Sequence, residues 1–217
     1  MIQLGTKGAG TPSKGPVPQG LRPSDPGLKN YEYNIEKAKE LFKQAGVDPK
    51  GLKLELTHAA ENEVEKRFAP LLKESFAQLG IDLEVKPILW NQQWQLAKGD
   101  PKKAQDIFVL LWWPSFSDGY DNLKGMFHSE DAPSFNLAYW YNKDFDKLID
   151  DAYALSGTDK AKSKELYHQA QQMLIDEAPA MYFFDAKKNL PMNANLEGEG
   201  TNPNYANVIF FNRLKTK

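Results

Sequence analysis

Between Asp106 and Pro114 the chain carries seven apolar residues without a break, Ile107–Trp113 (IFVLLWW), and no other stretch limits the fold as tightly. A run of that length, rich in branched and aromatic side chains and stopped by a proline, suits a strand buried on both faces, as inside a parallel sheet. It is far short of the roughly 20 apolar residues that a membrane-spanning helix needs. Side chains alternate across a strand, so of Trp112 and Trp113 one is expected in the core and the other nearer the rim. After Pro114 the segment Ser115–Asp121 (SFSDGYD) turns small and polar around two aromatics. Ligands of open α/β sheets gather just beyond the carboxyl ends of the strands. Two readings follow: the tryptophans and the loop form a binding edge, or they are core anchors followed by a plain connection.

The flanking pattern makes this run the third strand of a β-α-β-α-β series. Asn34 is a good helix cap, followed by Ile35, Ala38, Leu41, Phe42 and Ala45 at helical spacing and stopped by Gly46. Leu52–Thr57 alternates as a strand. Asn62–Leu79 carries Val64, Phe68, Leu71, Leu72, Phe76 and Leu79 on one stripe, with Pro70 expected to kink or split it. Ile81–Lys86 alternates again, and Gln92–Ala97 is a short helix before Asp106–Trp113. That order argues for right-handed crossovers and a mainly parallel sheet.

Later segments are mostly helical. One helix is expected within Asp118–Phe127; Asn142 caps a second, with Phe145, Leu148, Ile149 and Ala152 inward. Thr158 begins a third, with Ala161, Leu166, Ala170, Met173 and Leu174 inward, ending before Pro179. Ala180–Ala186 and Asn207–Leu214 are strand-like, and Pro191–Tyr205 between them is an Asn-, Gly- and Pro-rich loop. The opening Met1–Lys29 is rich in Gly and Pro, and reads as a linker or as a long loop crossing between two parts of a fold. As the start of a self-contained domain it is odd, which suggests that something precedes it.

Composition excludes several classes of function. The net charge is −2 and only Arg22, Arg67 and Arg213 are arginine, so nucleic acid is not an expected partner. No cysteine is present, which removes thiol catalysis, disulfides and thiolate metal sites. Met1–Gly20 lacks the apolar centre of a signal peptide. The histidines His58, His128 and His168 are isolated; His58 with Glu61 has a two-ligand spacing but lacks the third ligand a zinc site needs. No cofactor or metal is expected.

Several stretches together resemble the large extracytoplasmic solute-binding proteins of ABC importers, the family that handles dipeptides and oligopeptides. Gly15-Pro16-Val17-Pro18 is similar to the proline loop leading into their carboxyl-terminal lobe, and Tyr33–Ala38 running to Leu41-Phe42 and Ala45-Gly46 to its opening helix. Gly80-Ile81 with Leu83 and Val85 fits the strand signature. Asn136, Asn142, Asp146, Leu148 and Ile149 sit at the family's Asn/Asn/Asp–Leu–Leu spacing. Leu166-Tyr167, Ala170-Gln171, Leu174, Ala178-Pro179 and Tyr182 match its last long helix and strand. No one motif is specific, but their order over Gly15–Tyr182 is.

The resemblance implies a periplasmic-binding-protein-like α/β lobe with a mixed, mainly parallel central sheet flanked by helices. The lobe is expected over residues 30–190, after a lead-in or linker at 1–29 and before a loop and returning strand at 191–217; the family's amino-terminal lobes would be absent. It implies an extracytoplasmic receptor, of the lipoprotein kind or periplasmic, that closes around a peptide or oligosaccharide and delivers it to an ABC permease. In peptide-binding members the loop after the third strand carries a Trp, then an Asp that pairs with the peptide's amino group. Trp113 fits that Trp, whereas the Asp position falls on or near Phe116. Asp118 and Asp121 are the nearby carboxylates, able either to substitute or to cap the next helix.

The ligand-binding candidates are therefore Trp113, Phe116, Ser117, Asp118, Asp121, Trp94 and Trp112, with Trp90 a further platform at the same sheet edge. Loss of the amino-binding carboxylate beside extra aromatics shifts the expectation toward a different solute, and stacking faces with amide and hydroxyl donors suit sugars. No catalytic residue is proposed: Gly-x-Ser-x-Gly, phosphate-loop and HExxH patterns are all missing. A sugar-processing enzyme with a glycosidase-like pair of carboxylates and a stand-alone interaction module dimerising through an exposed lobe face remain the alternatives.

Overall fold

The computed structural model describes residues 5–113, 115–116, 118–187, 191–198 and 209–217. In chain order its elements are β1 (Gly10–Pro12), α1 (Ile35–Gln44), β2 (Lys53–Ala59), α2 (Glu63–Ala77), β3 (Asp82–Ile88), α3 (Trp90–Lys98) and β4 (Ile107–Phe108). They continue with α4 (Tyr120–Phe127), α5 (Lys143–Leu155), α6 (Lys160–Glu177), β5 (Phe184–Ala186), β6 (Leu196–Glu197) and β7 (Lys215–Thr216).

The α/β class is as expected. The central sheet has the order β3-β2-β4 with parallel pairing; among the described residues antiparallel pairing is confined to two separate ribbons, β1 with β5 and β6 with β7. Leu56 and Leu83 point from the sheet into one cluster with Phe68, Ala69 and Leu72 of α2, and Val109 joins them. A second core lies among the later helices, where Leu123, Phe127, Phe145, Ile149, Ala152, Ala170 and Leu174 pack with Val17 and Tyr167. Each large apolar side chain buried this way stabilises the fold by about 1.5–3 kcal/mol.

The third strand is shorter than its apolar run. Only Ile107 and Phe108 pair with β2, opposite Leu56 and Thr57. One residue on, the Val109 carbonyl accepts from Nε2 of Gln93 at 2.9 Å, so a buried side chain takes the place of the ladder. Leu111 and Trp113 are exposed rather than sandwiched.

Pro70 neither ends nor splits α2, which runs unbroken from Glu63 to Ala77. It lies on the exposed face, so the hydrogen bond it removes leaves a carbonyl at the solvent side. Asn62 starts that helix: its Oδ1 accepts from Val64 N and Glu65 N, and the Glu65 carboxylate answers on Asn62 Nδ2 and Ala59 N.

Three later expectations shift. Asp159, not Thr158, caps α6, and its buried face is Ser163, Tyr167, Ala170, Gln171, Leu174 and Ile175, leaving Ala161 exposed. The strand expected over Ala180–Ala186 shrinks to Phe184–Ala186 because β1, its partner, offers only three residues. Of Asn207–Leu214, residues 207 and 208 lie outside the described residues; Phe211–Arg213 form a 3-10 turn, and pairing begins only at Lys215, opposite β6. The Gly/Pro-rich opening is packed: β1 pairs with β5, while Val17 and Leu28 are buried. Among the described residues no helix is long and apolar enough to cross a membrane.

Candidate functional site

The carboxyl edge of the central sheet gathers aromatic side chains from three places. Trp90 and Trp94 stand one turn apart on α3, with ring centroids 5.5 Å apart, and Phe108 at the end of β4 lies 6.0 and 6.2 Å from them. Phe135 bridges onward, 5.5 Å from Trp94 and 5.4 Å from Trp112, meeting Trp112 edge to face. The result is a continuous aromatic wall in which Trp90, Phe108 and Trp94 form one cluster and Phe135 links Trp94 to Trp112; Phe135 is 43% exposed.

Trp112 is fixed by the helix it precedes. Its indole Nε1 donates to Asp121 Oδ2 at 3.3 Å, and the same oxygen accepts from Ser115 N at 2.9 Å. On the other side its ring touches α4 where the sequence has Gly125: a Cβ there would meet Cζ2 at 2.7 Å. Asp118 Oδ1 accepts from Tyr120 N at 2.8 Å. Both candidate carboxylates are thus engaged in shaping the loop around the start of α4.

Trp113 and Phe116 are 51% and 48% exposed. The structure brings Trp94, Trp112 and Asp121 together, while no ring contact joins Trp113 or Phe116 to the wall among the described residues. Ser117 lies outside the described residues.

Phe135 and Phe108 escaped the sequence reading. Phe135 stands in a loop closed by contacts with no local signature: the Glu130 Oε2 accepts from the amides of Ser134, Phe135 and Asn136 at 2.6, 3.2 and 3.3 Å. Asn136 Nδ2 then donates to the Trp140 and His128 carbonyls at 2.6 and 3.1 Å. Nearby, the Tyr139 hydroxyl donates to the Ala97 carbonyl, tying this loop to the end of α3. Asn142 caps α5, and Asp146 accepts from Ser129 N at 2.9 Å. The Asn136/Asn142/Asp146 spacing noted in the sequence is therefore a loop lock that carries Phe135 to the wall.

Burial pushes the Asp146 carboxyl up, but the Ser129 amide and hydroxyl, with Lys143 and His128, outweigh it and hold it below the usual carboxylate range. Burial wins at Glu65, which stays above its ordinary value despite the Ala59 and Asn62 donors. At the opposite edge of the sheet, a charged depression of about 320 Å³ is lined by Lys53, Glu55, Lys73, Asp82, Glu84 and Asp106. Glu55 and Glu84 are committed to Lys86, and Asp106 to the Glu55 amide. His58 is on β2, not on a helix, and its Nδ1 faces the Ala59 carbonyl at 3.2 Å.

With this geometry in place, comparison identifies the class. The family described as bacterial extracellular solute-binding proteins, family 5 (middle region), matches residues 1–134, more than half of the chain. The chain belongs to that family. It is 26% identical over 208 residues to heme-binding protein A of Haemophilus influenzae, covering 94% of this chain and 37% of the relative. To the dipeptide-binding protein of Escherichia coli it is 27% identical over 209 residues, with 94% and 38% covered. Among solved structures, an ABC transporter-associated periplasmic binding protein from Helicobacter pylori, in complex with the peptide STSA, superposes with a TM-score of 0.82 at 24% identity. That match covers 99% of this chain and 41% of the other. The chain thus spans about two fifths of the length of these relatives.

Proposed function

We propose that this chain is the carboxyl-terminal lobe of an extracytoplasmic receptor that captures peptides for an ABC importer, with the aromatic edge as its solute face. The observation that carries the reading is the juxtaposition of Trp94, Phe135 and Trp112 at the carboxyl edge of a parallel sheet, in a chain of the solute-binding family. Relatives named for dipeptide binding favour peptide over oligosaccharide. Trp113 and Phe116, exposed on the adjoining loop, extend the same face toward the solute.

In such a receptor, solute held between lobes stabilises the closed state by contacts that the open state lacks. The permease and the amino-terminal lobes are the partners of the whole receptor. Binding without turnover is the function proposed: Asp118 and Asp121, the acidic residues of the loop, serve backbone amides and an indole rather than a reacting bond. One lobe offers part of the contacts, so this chain alone binds peptide weakly.

The test is a titration of the chain with dipeptides, oligopeptides and cello-, manno- and xylo-oligosaccharides, followed by tryptophan fluorescence and thermal shift. Peptides that change the fluorescence only at high concentration, with sugars silent, agree with the reading. Submicromolar affinity for any solute contradicts the half-site account, and a response to sugars alone overturns the peptide class.

A further inference from the structure

We propose that the aromatic wall takes a solute in which a carboxylate stands beside an aromatic ring, the ring against Trp94 and Phe135 and the carboxylate at Lys98. The inference rests on the reading of this edge as the solute face and adds the charge and shape of what it holds. Three observations carry it.

Trp90, Trp94 and Lys98 recur every four residues and so share one stripe of α3. Lys98 Nζ stands 5.7 Å from the Trp94 ring centroid and 6.0 Å from that of Phe135, at the outer limit of a cation–π contact. The cation is therefore placed over the two rings, within reach of an anion lying beside them.

Lys98 forms no ion pair among the described residues, whereas Lys86, Lys124 and Lys143 each hold a carboxylate. None of the nearby described carboxylates pairs with Lys98: Asp121 accepts from Ser115 N and Trp112, Asp118 from Tyr120 N, Glu61 from Trp90 N at 3.0 Å, Glu130 from Phe135 N, and Asp100 faces Lys103. Because Lys98 stands beside both rings, a cationic substituent at that point meets a like charge, while an anionic one gains a partner.

An aromatic residue at the carboxyl terminus of a peptide has this chemistry, and so does a free arylalkanoate. The experiment uses the whole chain, titrated with 3-phenylpropionate, 3-phenylpropionamide, phenethylamine, Gly-Gly-Phe and Gly-Gly-Phe amide under tryptophan fluorescence, with Lys98→Met and Lys102→Met as variants. Expected is binding of both carboxylates, with their amides weaker by roughly threefold to tenfold and the amine weakest. Lys98→Met should abolish the preference and Lys102→Met should keep it. Tighter binding of Gly-Gly-Phe than of phenylpropionate identifies a peptide as the source, and the reverse a small acid; both support the charge assignment. Amides that bind as well as acids, or a preference that survives Lys98→Met, overturn it while leaving the aromatic face standing. If none of the five probes alters the fluorescence, the reading of the edge as a solute face fails, and the inference falls with it.

Discussion

The Asp121 carboxylate holds the Trp112 indole: Nε1 donates to Oδ2 at 3.3 Å, and the same oxygen takes the Ser115 amide at 2.9 Å. Asp121, a candidate acceptor for a peptide's amino group in the sequence, thus also positions an aromatic platform. Asp121→Ala should remove the bonds to the indole N–H and the Ser115 amide, both within reach of water, costing about 0.5–1.5 kcal/mol. Chemical denaturation followed by near-ultraviolet circular dichroism checks both the stability loss and the loosening of Trp112.

Gly125 gives Trp112 its seat. A methyl group at this position would stand 2.7 Å from Cζ2, so the ring must move although alanine favours helix. Gly125→Ala is expected to destabilise by about 1–3 kcal/mol through overpacking. An increase in melting temperature would show that the ring yields freely.

Glu130 shapes the loop that presents Phe135, by accepting three backbone amides. Glu130→Ala should speed hydrogen exchange at Ser134, Phe135 and Asn136 by at least about tenfold, equivalent to ~1.4 kcal/mol of local protection. Protection in β2 and α2 should stay as it was.

Asp146 supplies a pH signature. Its folded-state carboxyl is held low, so the stability it gives is present above the unfolded value and is lost as pH falls through the lower folded value. Asp146→Asn should therefore be less stable than the parent at neutral pH, and the gap should close below about pH 4. Melting curves of both proteins from pH 7 to 2.5 measure it; a gap that is constant across that range would show that the carboxylate's charge contributes nothing.

The sheet and most of the helices were legible because their signals are local. Asn34 and Asn142 cap the helices they were expected to cap, and Asn62, expected as the first helical residue, caps α2; Leu54, Leu56, Leu83 and Val85 alternate as strands do. The later strands were overestimated because β-propensity describes a side chain, whereas strand length is set by the partner: β1 supplies three residues to β5, and Gln93 ends the pairing of β4. At the site, Trp94 and Trp112 could be read from their nearness to strand ends. Phe135 could not, since it arrives through Glu130 and Asn136, and Lys98 gains meaning only beside it. Asp118 and Asp121 could be read in one dimension as ligands or as helix caps; in the fold one oxygen of each accepts a backbone amide at the turn into α4.

The most direct test of the aromatic face is nuclear magnetic resonance of the indole N–H groups, five in all, while the chain is titrated with Gly-Gly-Phe. Trp140 is an internal control, because its indole is bonded to Glu177 at 2.9 Å and its ring packs on the core residue Phe145. The account predicts that the Trp94, Trp112 and Trp113 signals move together and saturably while Trp140 stays still. Movement of Trp140 alone, or a still spectrum at saturating peptide, would contradict it.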